Sequence, residues 1–371
     1  MKTTVLQENF YKGLAFAYRF VPNKVQLPIL SNFLLEVKNG QIIISATNLE
    51  SGIKIVIPAK VEEEGSVIVP AKTLTEMIAG FPKDKISLSI KDKKLEVICQ
   101  GHKVLINMLP TQEFPSFPQP AKKKKIILKQ ELLKELSHKI LFSASQDETR
   151  PTLTGILVLL KKELVTFVAT DGFRLSLMTK KGVIVEEEDE ILLPAKILLE
   201  ASRVVADFGQ EEKQLSLEII KESNQVIFWG EEFSLFGRII EGKFPPYEKI
   251  IPKSFVSEAV VDKESLLDSV KIASIFARDA ANLLKIKTGK KLINVSANAP
   301  QTGENTNEVE AQTEGEETEI AFNSRYLLDF LNNTEEEQVR IQFSGALNPA
   351  VFKGKKDEEF FHIIMPVRVQ G

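Results

Sequence analysis

The feature that most constrains this chain is that it repeats itself. The string "LPILSN" (27–32) returns as "RPTLTG" (150–155) 123 residues later, and "IIISATNLE" (42–50) returns as "VTFVATDGF" (165–173) at the same interval. "IVPAKTLTEMI" (68–78) and "LLPAKILLEAS" (192–202) stand 124 apart, and "EFPSF" (113–117) and "KFPPY" (243–247) stand 130 apart. A third copy follows, with "INVSANAPQ" (293–301) 128 residues after "VTFVATDGF" and "AFNSRYLLDFL" (321–331) 129 after "LLPAKILLEAS". Ordered matches at a nearly constant offset mean one supersecondary unit used three times. A chain of 371 residues supplies each unit with enough residues for a buried core.

Each copy reads alike. A helical pattern opens it, over 7–20, 129–143 and 262–278, and a second helix follows near 71–80, 195–207 and 323–333. Pro70 and Pro194 suit the start of the second helix, where a missing N–H costs nothing. Between the helices apolar residues alternate at period two, as in "KISLSIKDKKLEVIC" around a Lys-Asp-Lys turn, which is the pattern of an antiparallel hairpin. The fold class is therefore α+β: three tandem repeats, each with two helices on antiparallel sheets. Domain spans of 1–119, 126–252 and 255–371 follow. The joints are the Pro- and Lys-rich "PSFPQPAKKKKI" (115–126), whose run Lys122 to Lys125 reads as a solvated linker, and "PPYEKIIPKSF" (245–255). The acidic stretch 299–319 reads as a long solvated loop, without ligand spacing for a metal.

Catalytic signatures are missing. There is no phosphate-binding glycine loop, no dinucleotide fingerprint, no zinc-protease motif and no nucleophile elbow. His102, His138 and His362 are scattered, and the single cysteine, Cys99, sits in a strand-like setting where a buried inert thiol is expected. No metal and no cofactor are expected. No window approaches 18 uninterrupted apolar residues, and the N-terminus lacks the apolar core of a signal peptide, so a cytoplasmic address is expected and no membrane span. Asp171-Gly172, between two apolar runs, reads first as a tight hairpin turn. A hydrolase built on Asp171 would need a second carboxylate or histidine nearby, which its own segment does not supply.

A formal net charge of −3 argues against a surface that coats nucleic acid as a whole, but it leaves room for a basic stripe. Three helices carry a basic pair seven residues apart, Lys12/Arg19, Lys196/Arg203 and Lys271/Arg278. Seven residues is two turns, so each pair shares one face. The remaining helices offer Lys72, Lys134 with Lys139, and Arg325. Arranged around a common axis, such cations would line a surface suited to phosphate backbones, binding without reading sequence.

The three copies, "ATDGFRL" in the second, "FNSRYLLD" in the third and "MPVRV" near the end resemble the bacterial DNA polymerase III beta subunit family, the sliding clamps, over essentially the whole chain. The resemblance implies a head-to-tail homodimer closed into a ring of six domains, with helices lining a hole through which duplex DNA passes. It implies a tether without catalytic chemistry, opened by a separate ATP-driven clamp loader and bound by the polymerase III catalytic subunit and other proteins carrying a clamp-binding motif. A clamp-like peptide-binding hub that no longer loads onto DNA is the alternative. By position, the resemblance places a peptide pocket at Leu153, Thr170, Gly172, Phe173, Arg174, Leu175, Pro245, Lys249 and Ile250 on one side. Asn323, Tyr326, Leu347, Pro349, Ile363, Met365, Pro366, Val367, Arg368 and Val369 complete it, and Asp171-Gly172 becomes a structural turn aiming its neighbours at clients. It makes Lys24 and Lys72, with the three basic pairs, DNA-facing residues, and makes Lys72, Val104, Ile106, Ile275 and Phe276 a dimer interface, with Glu304 as an ion-pair candidate. Phe173 stands where the family commonly has histidine, Ala281 where a larger residue is common, and Gln370-Gly371 extend past the usual end; these bear on client preference.

Overall fold

Period-two alternation and short apolar helices organise the chain, which a computed structural model describes over residues 1–22, 27–120, 126–183, 185, 188–208 and 214–368. The first repeat runs β1 (Lys2–Leu6), α1 (Gln7–Ala17), β2 (Asn32–Lys38), β3 (Gln41–Thr47), β4 (Ser51–Pro58), β5 (Lys60–Glu63), β6 (Gly65–Pro70), α2 (Ala71–Gly80), β7 (Lys85–Lys91), β8 (Lys94–Cys99) and β9 (His102–Asn107). The second runs β10 (Ile126–Lys129), α3 (Gln130–Lys139), β11 (Gly155–Lys161), β12 (Leu164–Thr170), β13 (Arg174–Lys181), β14 (Asp189–Pro194), α4 (Ala195–Phe208), β15 (Gln214–Ile220), β16 (Gln225–Trp229) and β17 (Phe233–Arg238). The third runs β18 (Ser257–Asp262), α5 (Lys263–Ala277), β19 (Leu283–Gly289), β20 (Leu292–Ala299), β21 (Gly303–Gly315), β22 (Glu319–Asn323), α6 (Ser324–Asn333), β23 (Gln338–Phe343), β24 (Ala350–Gly354) and β25 (Phe360–Ile364). All three are α+β, as their sequences imply, and each carries two α-helices. Short 3₁₀ turns at Tyr18–Phe20 and Leu141–Ser143 account for the tails of the helical patterns at 7–20 and 129–143.

The chain divides into two compact units, one of Met1–Gln130 with Glu200–Ile239, the other of Glu131–Leu199 with Ile240–Gly371, so the second repeat is shared. In the first unit a five-stranded sheet runs β5-β1-β7-β8-β9 and an eight-stranded sheet runs β10-β15-β16-β17-β4-β3-β2-β6. The larger sheet exists because β4 of the first repeat pairs antiparallel with β17 of the second. Helix α1 buries Phe10, Leu14 and Ala17, spaced to share one face, and packs on α2 and the sheet.

The second unit holds a twelve-stranded sheet, β14-β11-β12-β13-β25-β24-β23-β18-β21-β20-β19-β22. Its two repeats join the same way: β13 pairs antiparallel with β25, with Leu175 opposite Ile363. Helix α5 is capped by Asp262, whose carboxylate accepts from the Ser265 backbone N–H at 2.8 Å.

One expectation is overturned. The acidic stretch 299–319 is not a solvated loop: its centre is the 13-residue strand β21, paired to β20 through 303–310 and to β18 through 311–315. Even-numbered positions 304 to 314 are exposed and odd-numbered positions 305 to 313 face inward. The inward residues are mostly polar, and they are held by hydrogen bonds rather than by apolar burial. The Asn307 amide donates to the Ser269 carbonyl at 3.1 Å and the Thr313 hydroxyl to the Gly289 carbonyl at 2.8 Å.

Gly52 shows how tight the first junction is. It lies opposite Phe236 in the β4–β17 register, with the ring pressed against its Cα. A Cβ there would meet the Phe236 ring at sub-van der Waals separation and the Ala46 carbonyl oxygen at 2.9 Å. Gly52→Ala is expected to lower stability by about 1–3 kcal/mol through overpacking, read as a lower denaturant midpoint. Phe236→Leu in the same chain should recover part of the loss; a single variant as stable as the parent would show that the junction yields.

Candidate functional site

The turn between β12 and β13 is built by its own side chains. The Thr170 hydroxyl donates to the Arg174 carbonyl at 2.6 Å and accepts from the Gly172 N–H at 3.1 Å. One Asp171 carboxylate oxygen accepts from the backbone N–H of Phe173 (2.9 Å) and of Arg174 (3.1 Å). Gly172 has φ +95°, where side chains are disfavoured, which is why the aspartate is followed by glycine. The Asp171-Gly172 pair is thus a self-bonded turn, and it leaves Phe173 57% exposed at its tip.

Arg174 ties this turn to the third repeat. Its Nε donates to the second Asp171 oxygen at 3.0 Å, and its guanidinium also bonds the carboxylate of Asp329 on α6. The guanidinium carbon lies 4.6 Å from the Tyr326 ring centroid and 5.5 Å from that of Phe142, so the cation is held between two aromatic rings and two acids. Beneath it His362 is buried. Its Nδ1 shares a hydrogen with the Ser176 hydroxyl at 2.9 Å, which in turn pairs with Ser143 at 2.8 Å. The imidazole stacks on Phe330 at 5.6 Å, and its Nε2 has no partner among the described residues.

The chain end crosses the same place. The Met365 N–H donates to the Phe173 carbonyl at 2.9 Å and the Val367 N–H to the Ala321 carbonyl at 2.8 Å. Leu175 and Ile363 belong to a buried cluster with Leu157, Val168, Leu192, Phe244, Tyr247 and Val351, against which Ile250 packs. Three further apolar side chains of this unit are exposed: Phe173, Leu347 (71% exposed) and Val367. An apolar floor, exposed apolar rim residues and one fixed cation suit a ligand with an aliphatic or aromatic anchor.

The proposed pocket residues thus fall into groups. Thr170, Gly172, Phe173, Arg174, Tyr326, Met365 and Val367 are linked through the turn, the Arg174 cage and the chain end. Leu153, Leu175 and Ile363 are buried. Ile250, Pro349 and Pro366 are half-buried, while Pro245, Lys249 and Arg368 are exposed. Asn323 has a local task, accepting from the Arg325 N–H at 3.0 Å as the cap of α6. Val369 lies outside the described residues. Sequence reasoning missed Asp329, Phe142 and Ser176, and named His362 only as one of three scattered histidines; only the basic residue at 174 hinted that an acid would be needed opposite it.

The basic residues are more occupied than their spacing suggests. In the first unit the Lys12 ammonium bonds the Asp207 carbonyl and lies 4.9 Å from the Phe208 ring centroid. Arg19 forms a bidentate pair with Glu200, both bonds 2.7 Å, and Arg203 joins the same carboxylate at 2.9 Å. Lys72 approaches Glu76 at 4.0 Å and Lys271 approaches Asp268 at 3.5 Å. Lys196 and Arg278 have no side-chain partner among the described residues, and Lys24 lies outside them. Of the interface residues, Ile275 is 53% exposed and Phe276 partly so, and Val104 is half-buried. Ile106 is buried in its own chain. Cys99 is buried too, and burial pushes its thiol pKa up, away from reactivity. No group of three or more His, Cys, Asp or Glu side chains converges among the described residues, and no helix is long and apolar enough to cross a membrane.

His362 carries a pH signature. Burial, reinforced by the nearby Arg174 charge, holds its imidazole well below the ordinary range, and a doubly protonated ring would hold an N–H at Nε2 that has no acceptor among the described residues. The unfolded chain binds that proton below about pH 6.5 while the folded chain does not. Stability is therefore intact above that pH and falls below it, by about 1.4 kcal/mol per pH unit. Thermal unfolding from pH 7.5 to 5 should show this slope, and His362→Gln should flatten it; a slope unchanged by the substitution would assign it to other groups.

Comparisons agree with this architecture. Family models of the DNA polymerase III beta subunit match in three consecutive segments: the N-terminal domain over 1–118, the central domain over 127–246 and the C-terminal domain over 248–368. The beta sliding clamp of Staphylococcus aureus is 27% identical over 379 residues, covering 99% of both chains. Among solved structures, the DNA polymerase III beta subunit of Thermotoga maritima is 28% identical with a TM-score of 0.91, and both chains are covered in full. The DNA polymerase sliding clamp of Bacillus subtilis is 25% identical with a TM-score of 0.93, again over the whole of both chains. With three repeats of matching order, joined strand to strand over the full chain, this protein belongs to the DNA polymerase III beta subunit family.

Proposed function

We propose that this protein is a DNA sliding clamp: two copies close head to tail into a ring that encircles duplex DNA and tethers the replicative polymerase. It is a binding protein, not an enzyme. Domains of 1–119, 126–252 and 255–371 give six around the ring, and action on chromosomal DNA puts it in the cytoplasm. The observation that carries this reading is a pair of strand edges, two among several in the three sheets, that lie in the first and the third repeat. Strand β9 ends its sheet with one neighbour, β8, and residues 303–310 of β21 pair only with β20. Bare edges invite pairing, and a two-fold related copy would supply the matching edge for each. β21 carries Glu304, Glu308 and Glu310, and β9 carries Lys103, which bonds Glu96 of its own chain at 2.7 Å. Ile272, Ile275 and Phe276 on α5 add an apolar stripe at helical spacing, which Val104 would meet.

A ring holds DNA by topology, so tight contacts are unnecessary, and a clamp whose cations are largely engaged internally can still retain DNA. Among the described residues of the proposed DNA-facing set, Lys196 and Arg278 have no side-chain partner. Clients, the polymerase III catalytic subunit and the clamp loader among them, would insert a short motif over the apolar floor at Leu175, Ile363 and Ile250.

Two outcomes are expected. Ile275→Ala with Phe276→Ala should turn dimers into monomers in sedimentation and abolish retention on circular DNA. Dimers that survive would move the interface, and parent dimers that slip off circular DNA would favour the peptide-binding hub. Deleting 365–371 removes the Phe173 and Ala321 backbone contacts but keeps the buried Ile363 and Ile364. Calorimetry should then show binding of a polymerase-derived peptide lost while the dimer remains, since interface energy concentrates at apolar anchors. Equal affinities before and after deletion would remove the groove from client binding.

A further inference from the structure

Beyond Glu8 and Asn9 in its first turn, helix α1 and the 3₁₀ turn that continues it leave two rows of side chains exposed. Lys12 and Arg19 form one; Tyr11 and Tyr18, the latter in the 3₁₀ turn that continues the helix, form the other. Members of each row are seven residues apart and about 20° out of line, and the rows are separated by about 100°. The cation row is turned onto residues 200–208 of α4, through the Glu200 pair and the Phe208 ring. The tyrosine row is not: Tyr11 is 39% and Tyr18 38% exposed, and neither phenol oxygen has a partner among the described residues. The chain has only four tyrosines, and the other two are engaged, Tyr247 in the buried cluster and Tyr326 against Arg174.

The surroundings are positive despite the pairing. Lys12 bonds the backbone carbonyl of Asp207, whose exposed carboxylate offsets its charge, and Glu8 on α1 is paired with Lys83. Arg19 and Arg203 share one carboxylate, Glu200, which leaves that trio one positive charge in excess. A phenol beside such a patch is a neutral O–H donor placed where a polyanion is attracted. The two residues are about 10.5 Å apart along the helix axis, a span that covers two phosphates on one DNA strand.

We propose that Tyr11 and Tyr18 are duplex-DNA contacts, donating their hydroxyls to phosphate oxygens in the place of free cations on this helix. The proposal rests on the sliding-clamp reading and adds a chemical distinction to it. A cation that neutralises a phosphate releases counterions and steepens the salt dependence, whereas a neutral donor adds affinity without changing the slope.

The test is fluorescence anisotropy of the full-length protein with a labelled duplex across a salt series. Tyr11→Phe with Tyr18→Phe should weaken duplex binding roughly tenfold at every salt concentration, with a parallel slope. Lys196→Glu, as the contrast, should flatten the slope by about one. Binding unchanged in the phenylalanine variant, or a changed slope, overturns the tyrosine assignment while leaving the clamp reading standing. So does a loss seen only for Tyr→Ala and only with a single-stranded oligonucleotide, which would indicate base stacking. A parent protein that binds no duplex at any salt and is not retained on circular DNA overturns both.

Discussion

The antiparallel pairing of edge strands from successive repeats is the interaction on which the rest of the structure depends. It occurs twice with the same detail. At the first junction β4 meets β17 and the Arg238 N–H donates to the Glu50 carbonyl at 2.8 Å; at the second, β13 meets β25 and the Met365 N–H donates to the Phe173 carbonyl at 2.9 Å. Each pairing satisfies a row of backbone groups that would otherwise be open to aggregation or exchange. Each also fixes where a turn from one repeat meets the strand end of the next.

The two junctions differ in what covers them. At the first, the Phe236 ring lies directly on Gly52. At the second, aliphatic Leu175 faces Ile363, and the turn carries Phe173 and Arg174 in place of Glu50 and Ser51. Arg174 is then locked by two carboxylates and two rings, over a buried histidine that stays neutral.

Charge is used internally before it is used externally. Glu200 holds Arg19 and Arg203, and burial pushes its carboxyl pKa up against the pull of Arg19. These side chains brace α1 against α4 within one unit, and their remaining excess charge lies beside the tyrosine row. A tether that works by encirclement tolerates such an arrangement, because its hold on DNA does not require a high density of free cations.

Much of this was legible in the chain itself. The threefold repeat, the six helices and the alternating strands follow from local periodicity, because period 3.6 or 2 reports which face of an element is buried. The Asp171-Gly172 turn was legible for the same reason, since its hydrogen bonds run to residues two and three positions away. Partners distant in sequence were not. Nothing local told that Glu200 would receive Arg19, 181 residues away, or that Asp329 would receive Arg174 across 155. Residues 303–315 show the limit most clearly. Their strict alternation was present, but its inward positions are asparagine, threonine and alanine around one valine, so no apolar stripe announced a strand. Only the carbonyls of Ser269 and Gly289, brought alongside by the tertiary fold, gave those polar side chains a reason to face inward.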